Sequence, residues 1–154
     1  TGFPTFANSA WVGGIDTTPD DSLLVFSTLG QIHGFYTSNW TKAWTNQNHT
    51  EYVRSLEISP DGRFMLSGGD AGVILVHDLD TPRPTLVKQI NISWYPDVYE
   101  IEISKDGGTA FVSTRSNSSG EISLLIIFPQ HSFSNLRVRI AFSSVVEACI
   151  INGV

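Results

Sequence analysis

Short apolar stretches of strand length alternate along the chain with polar turns. Leu56 and Ile58 flank Glu57, and Ile101 and Ile103 flank Glu102, an alternation that puts one face of each strand in a core and one against water. Val73–Val76 and Leu124–Phe128 are continuous apolar runs, which suit strands buried on both faces. No stretch carries the 3.6-residue periodicity of an amphipathic helix. In the best-defined region the pattern predicts strands at Val53–Ile58, Phe64–Gly68, Val73–Asp78 and Leu86–Ile92. Pro82, Pro84, Pro96 and Pro129 fall in connections, where a missing N–H costs little.

The order apolar strand, polar turn, apolar strand occurs three times, over Gly14–Phe26, Ser55–Ser67 and Glu100–Val112. Asp20, Asp61 and Asp106 take the same place in each turn, 41 and 45 residues apart. A second marker follows each, a glycine opening another strand: Gly30, Gly72 and Gly120, 42 and 48 residues apart. Pro60 presets φ, Asp61 bonds its own backbone and Gly62 accepts positive φ, while Asp106-Gly107 is a short-hairpin dipeptide. Two markers with nearly one period match the roughly 40–45 residues of a four-stranded propeller blade. The expectation is an all-β chain of about three β-propeller blades of four antiparallel strands, near 11–45, 53–92 and 98–142. Residues 145–154 would start a further blade or form a tail. Such rings typically close with 4–8 blades, so three are expected to be part of a larger ring or to be covered by another molecule.

Composition narrows the function. The net charge is −6, and Lys and Arg total nine with no basic run, which speaks against nucleic acid and against a polybasic membrane site. No apolar run reaches the roughly 20 residues of a membrane span. Cys149 is the single cysteine and is read as a small buried residue, with a bond to an outside partner as the alternative.

The segment from Ser59 to Asp78, with Ser59-Pro60-Asp61-Gly62, Ser67-Gly68-Gly69-Asp70 and the closing His77-Asp78, resembles a WD40 repeat. The likeness extends more weakly over Gly14–Phe35 and Tyr99–Phe128. The third repeat, from Ile103 to Ser113, also resembles the YVTN or lactonase-like propellers. In the WD40 comparison His77 stands where Trp usually does. No Gly-His pair precedes a repeat, and the turn Asp is displaced to Asp70. The resemblance therefore implies that the family's hydrogen-bonded tetrad is missing here.

Four N-glycosylation sequons begin at Asn39, Asn48, Asn91 and Asn117. Asn39, Asn48 and Asn117 fall in expected loops and Asn91 on an outer strand, so all four are candidate sites for covalent N-linked glycans. Asp20, Asp61 and Asp106, with Gly62 and Gly107, read as turn residues. His33, His49, His77 and His131 show no ligand spacing, so neither metal nor cofactor is expected. There is no Gly-x-Ser-x-Gly elbow, and the glycines after Ser67 lack the Lys of a phosphate cradle. Trp40 and Trp44, beside the first two sequons, are candidate interface anchors, with packing at the blade edge as the other reading.

The leading expectation is a non-enzymatic, extracellular or cell-surface glycoprotein. It would be a structural, assembly or adhesion module, as in a surface coat, flagellar hair or extracellular filament, with protein partners or copies of itself. The alternative is an intracellular WD40-like scaffold binding peptides on one face of the ring. A secreted lactonase-like hydrolase ranks third.

Overall fold

The computed structural model describes residues 11–92, 97–116, 120–127, 137–142 and 145–151, with side chains over 11–92 and 97–115. The first sheet is β1 (Ile15–Thr17), β2 (Leu23–Ser27), β3 (Ile32–Tyr36) and β4 (Lys42–Asn46). The second is β5 (Val53–Ile58), β6 (Phe64–Gly69), β7 (Val73–Asp78) and β8 (Thr85–Asn91). The third holds β9 (Asp97–Ile103), β10 (Thr109–Ser116), β11 (Gly120–Ile127), β12 (Arg137–Phe142) and β13 (Val145–Ile151). Within each sheet every strand pairs antiparallel with its neighbours in sequence. β13, for which the sequence left a further blade or a tail open, pairs with β12 as a fifth strand. β5 lies against both β1 and β9, so the first strand of each sheet shares the inner edge, as in the blades of a β-propeller.

The inner hairpins have one chemistry. Thr18, Ser59 and Ser104 each accept, at the carbonyl, an N–H from three residues on, at 2.8, 2.8 and 2.7 Å. The residue after the aspartate has φ of 57° at Asp21, 73° at Gly62 and 67° at Gly107. Gly fills this left-handed position without strain, and Asp is among the few other residues that tolerate it.

Within the second sheet β6 and β7 are buried on both faces, which is why Val73–Val76 is apolar without alternation, while the outer strand β8 is mostly exposed. Met65 turns to the first sheet, among Val25, Ile32, Trp44, Val53 and Leu56. Phe64, Leu66, Ile74 and Val76 turn to the third, among Val98, Ile101, Ala110 and Val112. Each fully buried aliphatic side chain contributes about 1.5–3 kcal/mol relative to exposure. The flanking sheets break the pattern where they have one described neighbour. Ile15 takes the place in its repeat that Leu56 and Ile101 hold in theirs, yet is 62% exposed; Phe111 corresponds to Leu66 and is 56% exposed.

Polar bonds tie the inner strands together. Ile58 N–H donates to Asp16 Oδ2 at 2.8 Å, and Ile101 N–H donates to Ser55 Oγ at 3.0 Å. From β2, Ser27 Oγ, fully buried, also reaches the second sheet, donating to the Val53 carbonyl of β5 at 3.1 Å. Side chains bridge here because adjacent inner strands do not pair as a ladder.

Candidate interaction site

Antiparallel meanders place the β2–β3, β4–β5 and β6–β7 connections at one end of the sheets, together with the starts of β5 and β9. Four large side chains gather there. Trp11 and Tyr52 meet edge to face with centroids 5.9 Å apart, and with Arg54 they line a cleft of about 340 Å³. The Arg54 guanidinium lies 5.0 Å from the Tyr99 ring centroid. Arg54 Nε donates to Asp70, and Nη2 reaches Asp97 Oδ2 at 3.5 Å. Asp70 opens the 3₁₀ turn Asp70–Gly72, so the β6–β7 connection itself aims the arginine. Trp11, Tyr52 and Tyr99 remain between 43% and 47% exposed. A guanidinium fixed by two carboxylates and the Tyr99 ring, beside the two open aromatics Trp11 and Tyr52, is a preorganised contact surface.

Behind this end lies a buried polar network. His49, in the β4–β5 connection, bonds through Nε2 to Ser67 Oγ at 2.9 Å. Asn48 Nδ2 bonds to His77 Nε2 at 3.2 Å, and Asn46 Oδ1 accepts the Asn48 N–H at 3.0 Å. The tetrad that the resemblance implies to be missing is not completed: Asp70 holds Arg54 rather than His49, and what remains is the His49–Ser67 bond beside a separate Asn48–His77 bond. His49 supplies a connection histidine although Asn48 precedes it in place of Gly. The signal missed was a histidine just ahead of an inner strand, within reach of a serine on β6. His77 is fully buried, and its Nδ1 has no hydrogen-bond partner among the described residues. Burial holds both imidazoles down at about 4, for His49 with a further contribution from His77.

On the inner strands, Asp16, Glu57 and Glu102 hold equivalent places, each four residues before its turn aspartate. Burial, then Asp16, then Glu102 push the Glu57 carboxyl up from 4.5 to about 7. Among the described residues no group of three His, Cys, Asp or Glu is placed to hold a metal ion. A raised carboxyl penalises the folded state once it ionises. Its contribution is therefore favourable below pH 4.5 and declines as pH rises toward 7. Glu57→Gln is expected to stabilise the protein at pH 8 by on the order of 1 kcal/mol, because partial exposure screens the repulsion. The gain should vanish at pH 4; urea melts of both proteins at the two pH values check this.

The remaining sequence-derived residues are distributed widely. Asp20 Oδ1 accepts from Thr18 Oγ1, Ser22 Oγ and Ser22 N–H at 2.7, 2.8 and 3.1 Å, which hold its carboxyl down at about 2. Asp61 Oδ1 accepts from Ser59 Oγ and Arg63 N–H, and Asp106 Oδ1 from Ser104 Oγ and Gly108 N–H, in the same pattern. These three turns do not converge on one site. Trp40 lies at the β3–β4 turn and is 37% exposed. Trp44 is corrected as an interface candidate. It is 7% exposed, and its ring packs over Gly34 within the core between the first two sheets, so it is not offered to a partner. Asn39, Asn48 and Asn91 are exposed, Asn91 on the outer strand β8. Asn117 and His131 lie outside the described residues, and Cys149 pairs through its backbone with Ile140. The aromatic and arginine cluster escaped sequence reading because Trp11, Tyr52, Arg54 and Tyr99 come from three separate repeats.

No family model matches the chain. It is 31% identical over 64 residues to Transducin-like enhancer protein 2 of Mus musculus and 35% identical over 60 residues to Protein groucho of Drosophila melanogaster. These matches cover 42% and 39% of the chain, and 8% of each relative. Among solved structures it is similar to U3-55K, with a TM-score of 0.66, and to the Cps50 (Swd1) β-propeller domain of Myceliophteria thermophila, at 0.61. Both are 13% identical, and each comparison covers 94% of the chain, against 53% and 44% of those structures. The chain thus spans about half the length of the solved structures it resembles and a small part of the curated relatives.

Proposed function

We infer that this chain, a run of WD40-like β-propeller blades, is a protein-binding scaffold rather than a catalyst. The observation that carries the reading is the exposed set Trp11, Tyr52 and Tyr99 around the fixed Arg54. Trp, Tyr and Arg dominate the energetics of protein interfaces, and an arginine already held in place loses little entropy on binding. The cleft is open enough for a peptide segment to lie along it. Its groups suit packing and hydrogen bonding, and among the described residues no nucleophile with an adjacent base lines it.

A photo-crosslinking residue at position 52, compared with one at Ser38 at the opposite end of the sheets, tests the reading in the native host. A specific protein adduct is expected from position 52, lost on Arg54→Ala, and not from position 38. Equal labelling from both ends would defeat the assignment.

A second reading adds an extracellular setting, in which the scaffold assembles with copies or partners and carries N-linked glycans. The exposed sequon asparagines Asn39 and Asn91 favour it. Enzymatic deglycosylation of protein isolated from its source separates the two readings: a loss of mass supports the extracellular one, and an unchanged mass the intracellular scaffold.

A further inference from the structure

We propose that Asn39 is a glycan acceptor and that Asn48 stays bare, so that sugar covers the end of the sheets opposite the aromatic cleft; this rests on the extracellular reading above. The two asparagines lie in connections of opposite ends. Asn39 is in the β3–β4 turn, beside the Thr18–Ser22 hairpin, to which Thr37 bonds through the carbonyls of Asp21 and Ser22. Asn48 is in the β4–β5 connection, at the end that carries Tyr52 and Arg54.

At Asn39 the whole sequon is arranged around one oxygen. Thr41 N–H donates to Asn39 Oδ1 at 2.9 Å and Thr41 Oγ1 donates to the same oxygen at 2.7 Å. The turn is closed by Trp40 N–H to the Tyr36 carbonyl at 2.8 Å and Tyr36 N–H to the Thr41 carbonyl at 3.0 Å, with Trp40 at φ 57°. Two donors on Oδ1 fix the amide of an exposed residue. Transfer of a lipid-pyrophosphate-linked oligosaccharide to this atom balances simply. Nδ2 bonds the anomeric carbon, the bond from that carbon to the pyrophosphate oxygen breaks, the pyrophosphate leaves with the electron pair, and Nδ2 loses one proton.

At Asn48 the equivalent nitrogen is engaged. Nδ2 bonds to Nε2 of the fully buried His77, and the Asn48 N–H is held by Asn46. A sugar on that nitrogen replaces one of its two hydrogens, so a single N–H is left to hold the bond to His77 Nε2, whose ring has no other partner among the described residues. Asn48 also adjoins His49, which is tied to Ser67. Both asparagines are exposed, but Asn48 already spends its amide nitrogen on a buried partner.

The test is glycopeptide mass mapping of the chain secreted from a eukaryotic host, with Asn39→Gln and Thr41→Ser beside the unaltered protein. The expected result is a glycan on Asn39, kept by Thr41→Ser and lost from that peptide in Asn39→Gln, with the Asn48 peptide unmodified. A bare Asn39, or a glycan on Asn48, overturns the proposal while any occupied sequon keeps the extracellular reading alive. A secreted protein with no glycan at all overturns both.

Discussion

Lowering the pH from 7 to 4 is expected to remove about 3 kcal/mol of stability for each of His49 and His77. The sign follows from where the proton prefers to be. Both imidazoles have folded-state pKa values depressed to about 4 from 6.5, so the unfolded chain takes up protons first. The stabilisation is complete above pH 6.5, erodes as pH falls, and is lost once pH passes through 4. The chemistry is specific at His77. With Asn48 Nδ2 as donor, Nε2 accepts and the ring proton sits on Nδ1, which is buried without a partner among the described residues. Protonation adds a charge to that site and converts the acceptor into a donor facing a donor. Denaturant midpoints measured from pH 7.5 to 4 should fall steeply below 6.5. His77→Phe should roughly halve the slope by deleting one titrating ring of similar shape; an unchanged slope in that variant would show that His77 takes up its proton as readily in the fold as in the unfolded chain. The Glu57 contribution runs in the opposite direction, so the variant is best compared in the Glu57→Gln background.

Gly69→Ala is expected to cost at least about 3 kcal/mol and to disable the aromatic cleft in the same step. Its backbone is extended, so the effect is one of space. A Cβ there would lie 1.7 Å from the Tyr52 carbonyl oxygen and 2.9 Å from Val53 Cα. Both are backbone atoms of the neighbouring strand, which cannot swing aside as a side chain can. The pairing of Val53 with Gly69 has to open, along with the 2.9 Å bond from Asp70 N–H to the Tyr52 carbonyl. Tyr52 lines the cleft and Asp70 holds Arg54, so strand separation and loss of the contact surface are one event. Gly108→Ala is the control. Its nearest neighbour is Asp106 Oδ1 at 3.4 Å, an exposed carboxylate, and a change within about 0.5 kcal/mol is expected. Thermal melts of the two variants, with crosslinking from position 52, measure both consequences.

The repeat was legible because turns are local. The aspartate before a left-handed residue needs only a few consecutive side chains, and its chemistry is written out in Thr18–Ser22, Ser59–Arg63 and Ser104–Gly108. The strands of the second sheet were legible for a related reason: burial on both faces leaves an uninterrupted apolar run at Val73–Val76. What could not be read was anything assembled between repeats. Arg54 and Tyr99 meet only because β5 and β9 share an edge, and Asn48 meets His77 only because a connection folds over the second sheet. Trp44 shows the converse limit. Its position near two sequons suggested a surface, but the absence of a side chain at Gly34 opens a slot that draws the indole inward.

The bonds from Asp16 to Ile58 and from Ser55 to Ile101 have a consequence for how such arrays lengthen. Hydrogen-bond ladders join the strands within a sheet, whereas neighbouring inner strands, which share no ladder, are bridged by single side chains. A carboxylate spans the first gap and a hydroxyl the second. Each junction thus hangs on one residue, and exchanging Asp16 for Ser, or Ser55 for Asp, would disturb a single junction without rewriting any strand.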